Sequence, residues 1–297
     1  MKKAQLKIKK NSLKILILGS SGQIGFSLKK ILSGNKKKYQ ITCPKRKDLD
    51  LTNLKNLRNY FTKNNFDIVI NCVAYTRVDD AELNKIEANK LNSKIPLLLA
   101  KIAQKKNFIL IHYSTDYVFD GKLKKNYCEK SKTNPLNIYG LTKLKGDLNI
   151  LNQNCKGVIL RVSWVYSDKP QSFLNKIEKI LLNKKKLSIV NNQIGTPTSS
   201  NFIADITKKI IDENIFTKMT LYNLSPRGKC SWYDFAKEYF LNKNIKVDIK
   251  PIKSKNILQK ATRPYFVNLN SSKLENKLQI NFNNWKIVLK SFLNNGK

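Results

Sequence analysis

The run Lys14-Ile15-Leu16-Ile17-Leu18, followed at once by Gly19-Ser20-Ser21-Gly22-Gln23-Ile24-Gly25, constrains the fold more than any other part of the chain. An apolar run this short, with no polar face to offer solvent, suits a strand buried on both sides in a parallel sheet. The glycines then sit where the chain turns tightly, and residues 23–32 carry helical spacing. A strand, a glycine turn and a helix in that order present free backbone N–H groups and the positive end of a helix dipole to a pyrophosphate. Placement directly after the opening strand separates this glycine pattern from a chance one. Gly19, Gly22, Gln23, Ile24 and Gly25 are therefore candidate cofactor-binding residues.

Strand-like runs recur at 67–72, 108–113 and 157–165, with amphipathic helical stretches at 95–105 and 139–151 between them. This alternation predicts an α/β fold, a Rossmann-type doubly wound parallel sheet with helices on both faces. After about residue 166 the rhythm loosens into helices at 172–183, 201–214 and 232–242 and a Gly-Thr-Pro-Thr turn at 195–198. The expected division is a basic N-terminal tail (1–13), a dinucleotide-binding domain (14–170) and a smaller, mainly substrate-binding C-terminal lobe (171–297). Some of the lobe, 220–224 for example, is expected to return to the main sheet.

The net charge of +37 points at first to nucleic acid or an acidic membrane. Only six of the 57 basic residues are arginine, however, although arginine is the residue suited to bidentate phosphate and base contacts. The lysine runs sit beside asparagines and carry no interleaved aromatic stripe, so no nucleic-acid partner is expected. No apolar segment reaches the roughly 20 residues that span a bilayer. The run after the basic start is too short for a signal-peptide core. A soluble cytoplasmic protein, monomer or homodimer, is expected. Five scattered cysteines without a Cys-x-x-Cys pair read as reduced thiols, and a single histidine, His112, leaves no histidine-rich metal site.

At the end of the second strand, 39–43, a chain binding NAD would place an acid for the ribose 2′-hydroxyl. Here Pro44 is followed by Lys45 and Arg46, a pair that favours the extra phosphate of NADP. NADPH is the expected cofactor, with NADH the alternative. Asp50 and Leu51 are placed to meet the adenine edge. Ala74, Tyr75 and Thr76 follow the next strand, where small residues let a cofactor cross the sheet edge.

The spelling Tyr-x-x-x-Lys is uninformative in so lysine-rich a chain: it occurs at Tyr139, Tyr233 and Tyr239, about the number chance supplies. Tyr139 is distinguished by its place, at the start of a helix after a strand that ends in Ser114-Thr115-Asp116. Lys143 lies one turn on, on the same helical face, and is expected to lower the phenol's pKa from near 10. Thr115 offers a hydroxyl to a substrate oxygen. Together the three make a proton-donating group for carbonyl reduction, with hydride from a nicotinamide.

From Leu13 almost to the end, the chain resembles the extended short-chain dehydrogenase/reductase superfamily and, within it, the dTDP-4-dehydrorhamnose reductase family. The segments that carry the resemblance are GSSGQIG (19–25), NCVAYTRVDDAE (71–82), HYSTDYVFDG (112–121), PLNIYGLTKLKGD (135–147), LRVSWVY (160–166), NNQIGTPT (191–198) and ATRP (261–264). The resemblance implies that Tyr139 is the catalytic acid, that Lys143 orients the nicotinamide ribose and that Thr115 completes the triad. It further implies that Asp116 and Trp164 contact the sugar nucleotide. The implied reaction is reduction of the 4-keto group of a dTDP-linked deoxysugar for surface polysaccharide. Arg263 is a candidate diphosphate contact, against an ordinary salt bridge. The departures are the basic extension and Ile24, where the family usually has leucine.

Three other functions are possible on the same fold. A nucleotide-sugar dehydratase needs an Asp-Glu pair directly after the threonine, and Tyr117 stands at the glutamate position. A 4-epimerase is compatible with tyrosine and lysine alone, but would hold its NAD without exchange. A non-catalytic regulatory subunit would keep the nucleotide fold, yet the intact Thr115, Tyr139 and Lys143 favour an enzyme.

Overall fold

Five strands of the main sheet come from the Rossmann part of the chain, up to Val162: β1 (Leu13–Leu18), β2 (Tyr39–Thr42), β3 (Ile68–Asn71), β4 (Ile109–Thr115) and β5 (Gly157–Val162). The structure, a computed structural model, describes residues 12–123, 125–183 and 186–294. The expected tail thus lies outside the described residues except for Ser12 and Leu13, and Leu13 already belongs to β1. Further strands are β6 (Val165–Tyr166), β7 (Lys186–Val190), β8 (Ile194–Gly195), β9 (Thr198–Ser199), β10 (Thr220–Leu224), β11 (Cys230–Ser231) and β12 (Asp248–Ile252). The main sheet runs β10-β5-β4-β3-β1-β2, all parallel.

The helices are α1 (Gln23–Ser33), α2 (Leu54–Lys63), α3 (Val78–Ala81), α4 (Lys85–Asn89), α5 (Ile95–Lys106) and α6 (Ile138–Leu151). They continue with α7 (Phe173–Asn183), α8 (Ser200–Asp212), α9 (Trp232–Asn242), α10 (Ser272–Leu278) and α11 (Trp285–Asn294). Polar residues start several of them: Asn53 caps α2, Asn137 caps α6, Ser199 caps α8, and Ser231 with Asp234 forms a capping box on α9. A π-helical turn, Lys90–Lys94, joins α4 to α5. Three helices lie outside the stretches expected to be helical: α2, which is amphipathic through Leu54, Leu57, Tyr60 and Phe61, and the short, polar α3 and α4.

Both faces of the sheet are covered. Leu28 and Leu32 of α1, Ile203 and Ile210 of α8 and Leu274 of α10 pack on one side with Ile15, Ile70 and Ile111. Leu57 and Phe61 of α2, Leu99 of α5 and Ile150 of α6 cover the other with Leu16, Val69 and Ile159. Each such fully buried side chain contributes about 1.5–3 kcal/mol, which fixes the strand register and the layers around it.

The second half of the chain supplies two packing units. As expected, β10 returns to the main sheet beside β5. In addition α8 lies on α1, with the Ser27 and Ser200 hydroxyls 2.8 Å apart. A separate cluster gathers Tyr166, Leu174, Leu187, Phe235, Phe240 and Trp285 around the β7/β12 pair. The run 157–165 is not one strand: Trp164, at φ +43°, turns the chain between β5 and β6. Among the described residues no helix is long and apolar enough to cross a membrane.

Candidate active site

From β1 the chain passes to β2 on one side and later to β3 on the other, so a crevice opens at the carboxyl ends of β1 and β3, where α/β sheets collect ligands. Gly19 holds φ +79°, and a Cβ on Gly25 would lie 2.3 Å from the Gly19 carbonyl oxygen, so turn and helix touch without side chains between them. No side chain caps α1 and its first turn holds no acid. Its first N–H groups and dipole are thus available to an anion, and the turn fits a dinucleotide pyrophosphate.

A cleft of about 400 Å³ opens above this turn. Gly22, Gln23 and Ile24 form its floor, and Ala74 and Thr76 flank it. Thr115, Asp116, Tyr139, Lys143 and Trp164 complete the wall. The structure therefore brings together ten of the residues singled out from sequence. Gly19 and Gly25 shape the turn from behind. A larger cleft of about 770 Å³, lined by Leu13, Asn65, Phe108 and Lys156 among others, lies at the opposite edge of the strands and carries no candidate residue.

Five other candidates lie away from the cleft. Tyr75 is buried, and the side chain of Asn92 in the π-helical turn holds both its backbone N–H and its C=O. Arg46 lines a separate depression with Thr52 and Lys90. The Asp50 carboxylate accepts from the Thr52 N–H and hydroxyl, and Leu51 packs against the core around α2. Arg263 grips Asp79 through two bonds, Nη1 to Oδ1 at 3.1 Å and Nη2 to Oδ2 at 2.6 Å. The Arg263 side chain is 16% exposed, and the same carboxylate accepts from the Lys260 and Ala261 N–H groups, which ties residues 260–263 to α3. Arg263 also lies beside Tyr117, whose ring meets Tyr139 edge-on at 5.6 Å.

Tyr139 and Lys143 are set by the start of α6. Asn137 accepts the Gly140 N–H at 2.8 Å, and Glu82 accepts the Ile138 N–H at 2.8 Å. Gly140 is required there, because a Cβ would lie 2.2 Å from the Tyr117 carbonyl oxygen. The Tyr139 phenol lies beside the Thr115 hydroxyl, which favours its ionised form. Burial raises its pKa well above the ordinary 10, and Asp116 and Tyr117 add to the rise. This corrects the expected lowering by Lys143. The ammonium is turned to β4, donating to the Tyr113 carbonyl at 2.5 Å and lying 3.3 Å from His112 Nε2.

Burial lowers the Lys143 pKa to about 8, against the opposing pull of Asp147 one turn on. Asp147 is itself paired with Arg161 at 3.1 Å and accepts from Ser114 at 2.8 Å, yet burial raises its pKa. His112 is fully buried and held far below its ordinary pKa, so it stays neutral. Its ring nitrogens face Asn71 and Lys143, which excludes a Ser-His-Asp triad. Asp116 accepts from Ser163 at 2.8 Å and from Thr115 at 3.2 Å, but burial still pushes its carboxyl up to about 6.

The far wall is aromatic. Trp164 stacks on Trp232, with ring centroids 3.7 Å apart and planes 6° from parallel, and Phe173 leans on Trp232. Sequence reasoning missed Trp232, Gln171 and Tyr117 as cleft residues and Asn92 as the tether of the 73–76 segment. Only Tyr117 carried a signal, as the neighbour of Thr115-Asp116. The other two Tyr-x-x-x-Lys pairs are structural: Tyr239 and Lys243 both bond Glu178, and Lys237 covers the Tyr233 ring.

A doubly wound sheet with a glycine turn at its switch point and a threonine, tyrosine and lysine above it defines a Rossmann-type, dinucleotide-dependent oxidoreductase. The chain matches the family described as RmlD substrate binding domain over residues 13–297, and it belongs to that family. A dTDP-4-dehydrorhamnose reductase of Aggregatibacter actinomycetemcomitans is 31% identical over 94% of this chain and 97% of that one. A structure of the same-named protein from Clostridium acetobutylicum superposes with a TM-score of 0.88 at 33% identity, covering 95% of this chain and 99% of that one. The Bacillus anthracis structure, solved in complex with NADP, gives 0.90 at 29% identity over 96% and 99%.

Proposed function

We propose that the chain reduces the 4-keto group of dTDP-4-dehydro-L-rhamnose to give dTDP-L-rhamnose, with NADPH as reductant, for rhamnose-containing surface polysaccharide. The observation that carries this reading is the meeting of Thr115, Tyr139 and Lys143 in one cleft directly above the glycine turn. The family's relatives of that name support the sugar nucleotide. When bound, the dihydronicotinamide supplies the hydride to the sugar carbonyl carbon.

The chain's own residues do the rest. The α1 N-terminus and the Gly19–Gly25 turn would hold the pyrophosphate, and the lack of an acid directly after β2, where Pro44, Lys45 and Arg46 stand, suits a 2′-phosphate, with NADH as the weaker alternative. Tyr139, whose raised pKa keeps it protonated at neutral pH, gives its phenolic proton to the developing alkoxide while Thr115 donates a hydrogen bond to the same oxygen. Lys143 sits on the same helical face to bind ribose hydroxyls and return a proton to the phenolate. Asp116 and the Trp164–Trp232 stack hold the sugar nucleotide against this group.

NADPH oxidation should require dTDP-4-dehydro-L-rhamnose and be abolished in Tyr139→Phe, which keeps the ring and loses only the proton. Protein that binds NADPH but never oxidises it with this sugar nucleotide would overturn the reading.

A further inference from the structure

The single histidine of the chain lies under the proposed reaction site with both ring nitrogens engaged, and nothing in the reaction as derived uses it. His112 is in β4, fully buried. Asn71, at the end of β3, faces its Nδ1 through Nδ2 at 3.0 Å. The Asn71 amide is not free to turn over, because its Oδ1 accepts the Val73 N–H at 3.1 Å. An amide NH₂ held against Nδ1 requires that nitrogen to accept. A neutral imidazole that accepts at Nδ1 carries its proton on Nε2. Nε2 lies 3.3 Å from Lys143 Nζ.

We propose that His112 is a positioning residue for Lys143. The chain Val73–Asn71–His112 fixes an Nε2–H that bonds the amine form of the lysine and opposes the ammonium. Lys143 then holds its proton less firmly and returns it more readily to a Tyr139 phenolate after each turnover. The proposal rests on the reading of Tyr139 and Lys143 as reacting groups, but its test needs no turnover.

Other groups around the amine divide in their effect. Asp147 on α6 and Cys72 after β3 favour the charged form, while burial disfavours it. The Tyr113 carbonyl of β4 accepts from either form. Tyr139 lies one turn back on α6, and Arg161 of β5 is occupied by Asp147. Among these groups, only the imidazole N–H bonds the amine form alone.

Because the chain has one histidine, its imidazole ¹⁵N and ¹H signals are unambiguous in the intact protein. The expected spectrum is a neutral ring in the Nε2–H tautomer from pH 6 to 9, with one step in its shifts near pH 8 as Lys143 loses its proton. The step should vanish in Lys143→Met, with the tautomer unchanged. Asn71→Asp, nearly isosteric, should draw the proton to Nδ1, free Nε2 to accept from the ammonium, and move the step up by about one pH unit. A ring in the Nδ1–H tautomer, a ring that becomes imidazolium in this range, or a step that survives Lys143→Met would overturn the proposal. Since the wild type and Lys143→Met spectra decide it, a failure of Asn71→Asp to fold does not shield it. An inactive protein with the expected spectrum would count against the function and leave the His112–Lys143 pairing standing.

Discussion

Asp116 is held at a cost, and the cost can be measured. Its carboxyl ordinarily titrates at 3.8, and burial in the cleft wall raises this to about 6. Below pH 3.8 the group is protonated whether the chain is folded or not, and nothing is lost. As pH rises from 3.8 towards 6 the unfolded chain ionises first, so folding stability falls; above 6 the penalty is complete. A rise of about two units at about 1.4 kcal/mol each makes that penalty about 3 kcal/mol. Asp116→Asn removes the charge and keeps the side chain's shape, with the Ser163 and Thr115 hydroxyls free to rotate to the amide.

Urea unfolding of both proteins should therefore show the variant gaining on the wild type by most of about 3 kcal/mol between pH 4 and pH 8. At roughly 2 °C per kcal/mol this is about 6 °C in Tm at pH 8. The same variant should lose about ten-fold or more in kcat/KM for the sugar nucleotide, as expected where a strained charge serves binding. A stability difference that does not change with pH would refute the argument, because a merely structural substitution carries no proton linkage.

Two further substitutions probe the cofactor floor and the aromatic wall. Gly25→Ala places a methyl 2.3 Å from the Gly19 carbonyl oxygen, so α1 must move off the turn. NADPH affinity, measured by fluorescence titration, should fall by at least about ten-fold, a loss of about 1.4 kcal/mol. Trp232→Leu removes the face on which Trp164 stacks and lets the Trp164 side chain, carried on a backbone at φ +43°, leave the wall. The KM for the sugar nucleotide should rise about three- to ten-fold, a loss of about 0.5–1.5 kcal/mol, while the Kd for NADPH stays unchanged. Equal losses in both would assign the tryptophan pair to the fold rather than to the substrate.

Local pattern made much of the Rossmann half readable. The β1 run, the glycine turn and α1 are contiguous, so each signal reinforces the next, and the structure places Gly22, Gln23 and Ile24 in the cleft as their order suggested. Tyr139 and Lys143 were legible for the same reason, being one turn apart on a helix that follows a strand ending at Thr115. Helices α3 and α4 were not, because each spans only four or five residues and buries a single alanine, Ala81 and Ala88; α2 carries a stripe at Leu54, Leu57, Tyr60 and Phe61 that the sequence offered and that was not used.

The linear order of residues by itself determined the strand–helix alternation, the glycine turn after β1 and the placing of Tyr139 and Lys143 one turn apart on α6, since all three depend on neighbours within a few positions. The tertiary structure alone decided that Trp232 meets Trp164, that Arg263 belongs to Asp79 and that α8 lies on α1. It also decided the electrostatics: the phenol of Tyr139 is raised, not lowered, because burial outweighs the opposing Thr115 hydroxyl, while the Lys143 ammonium bonds the Tyr113 carbonyl of β4. Burial and long-range pairing are properties of the packed chain, and no spacing in the sequence records them.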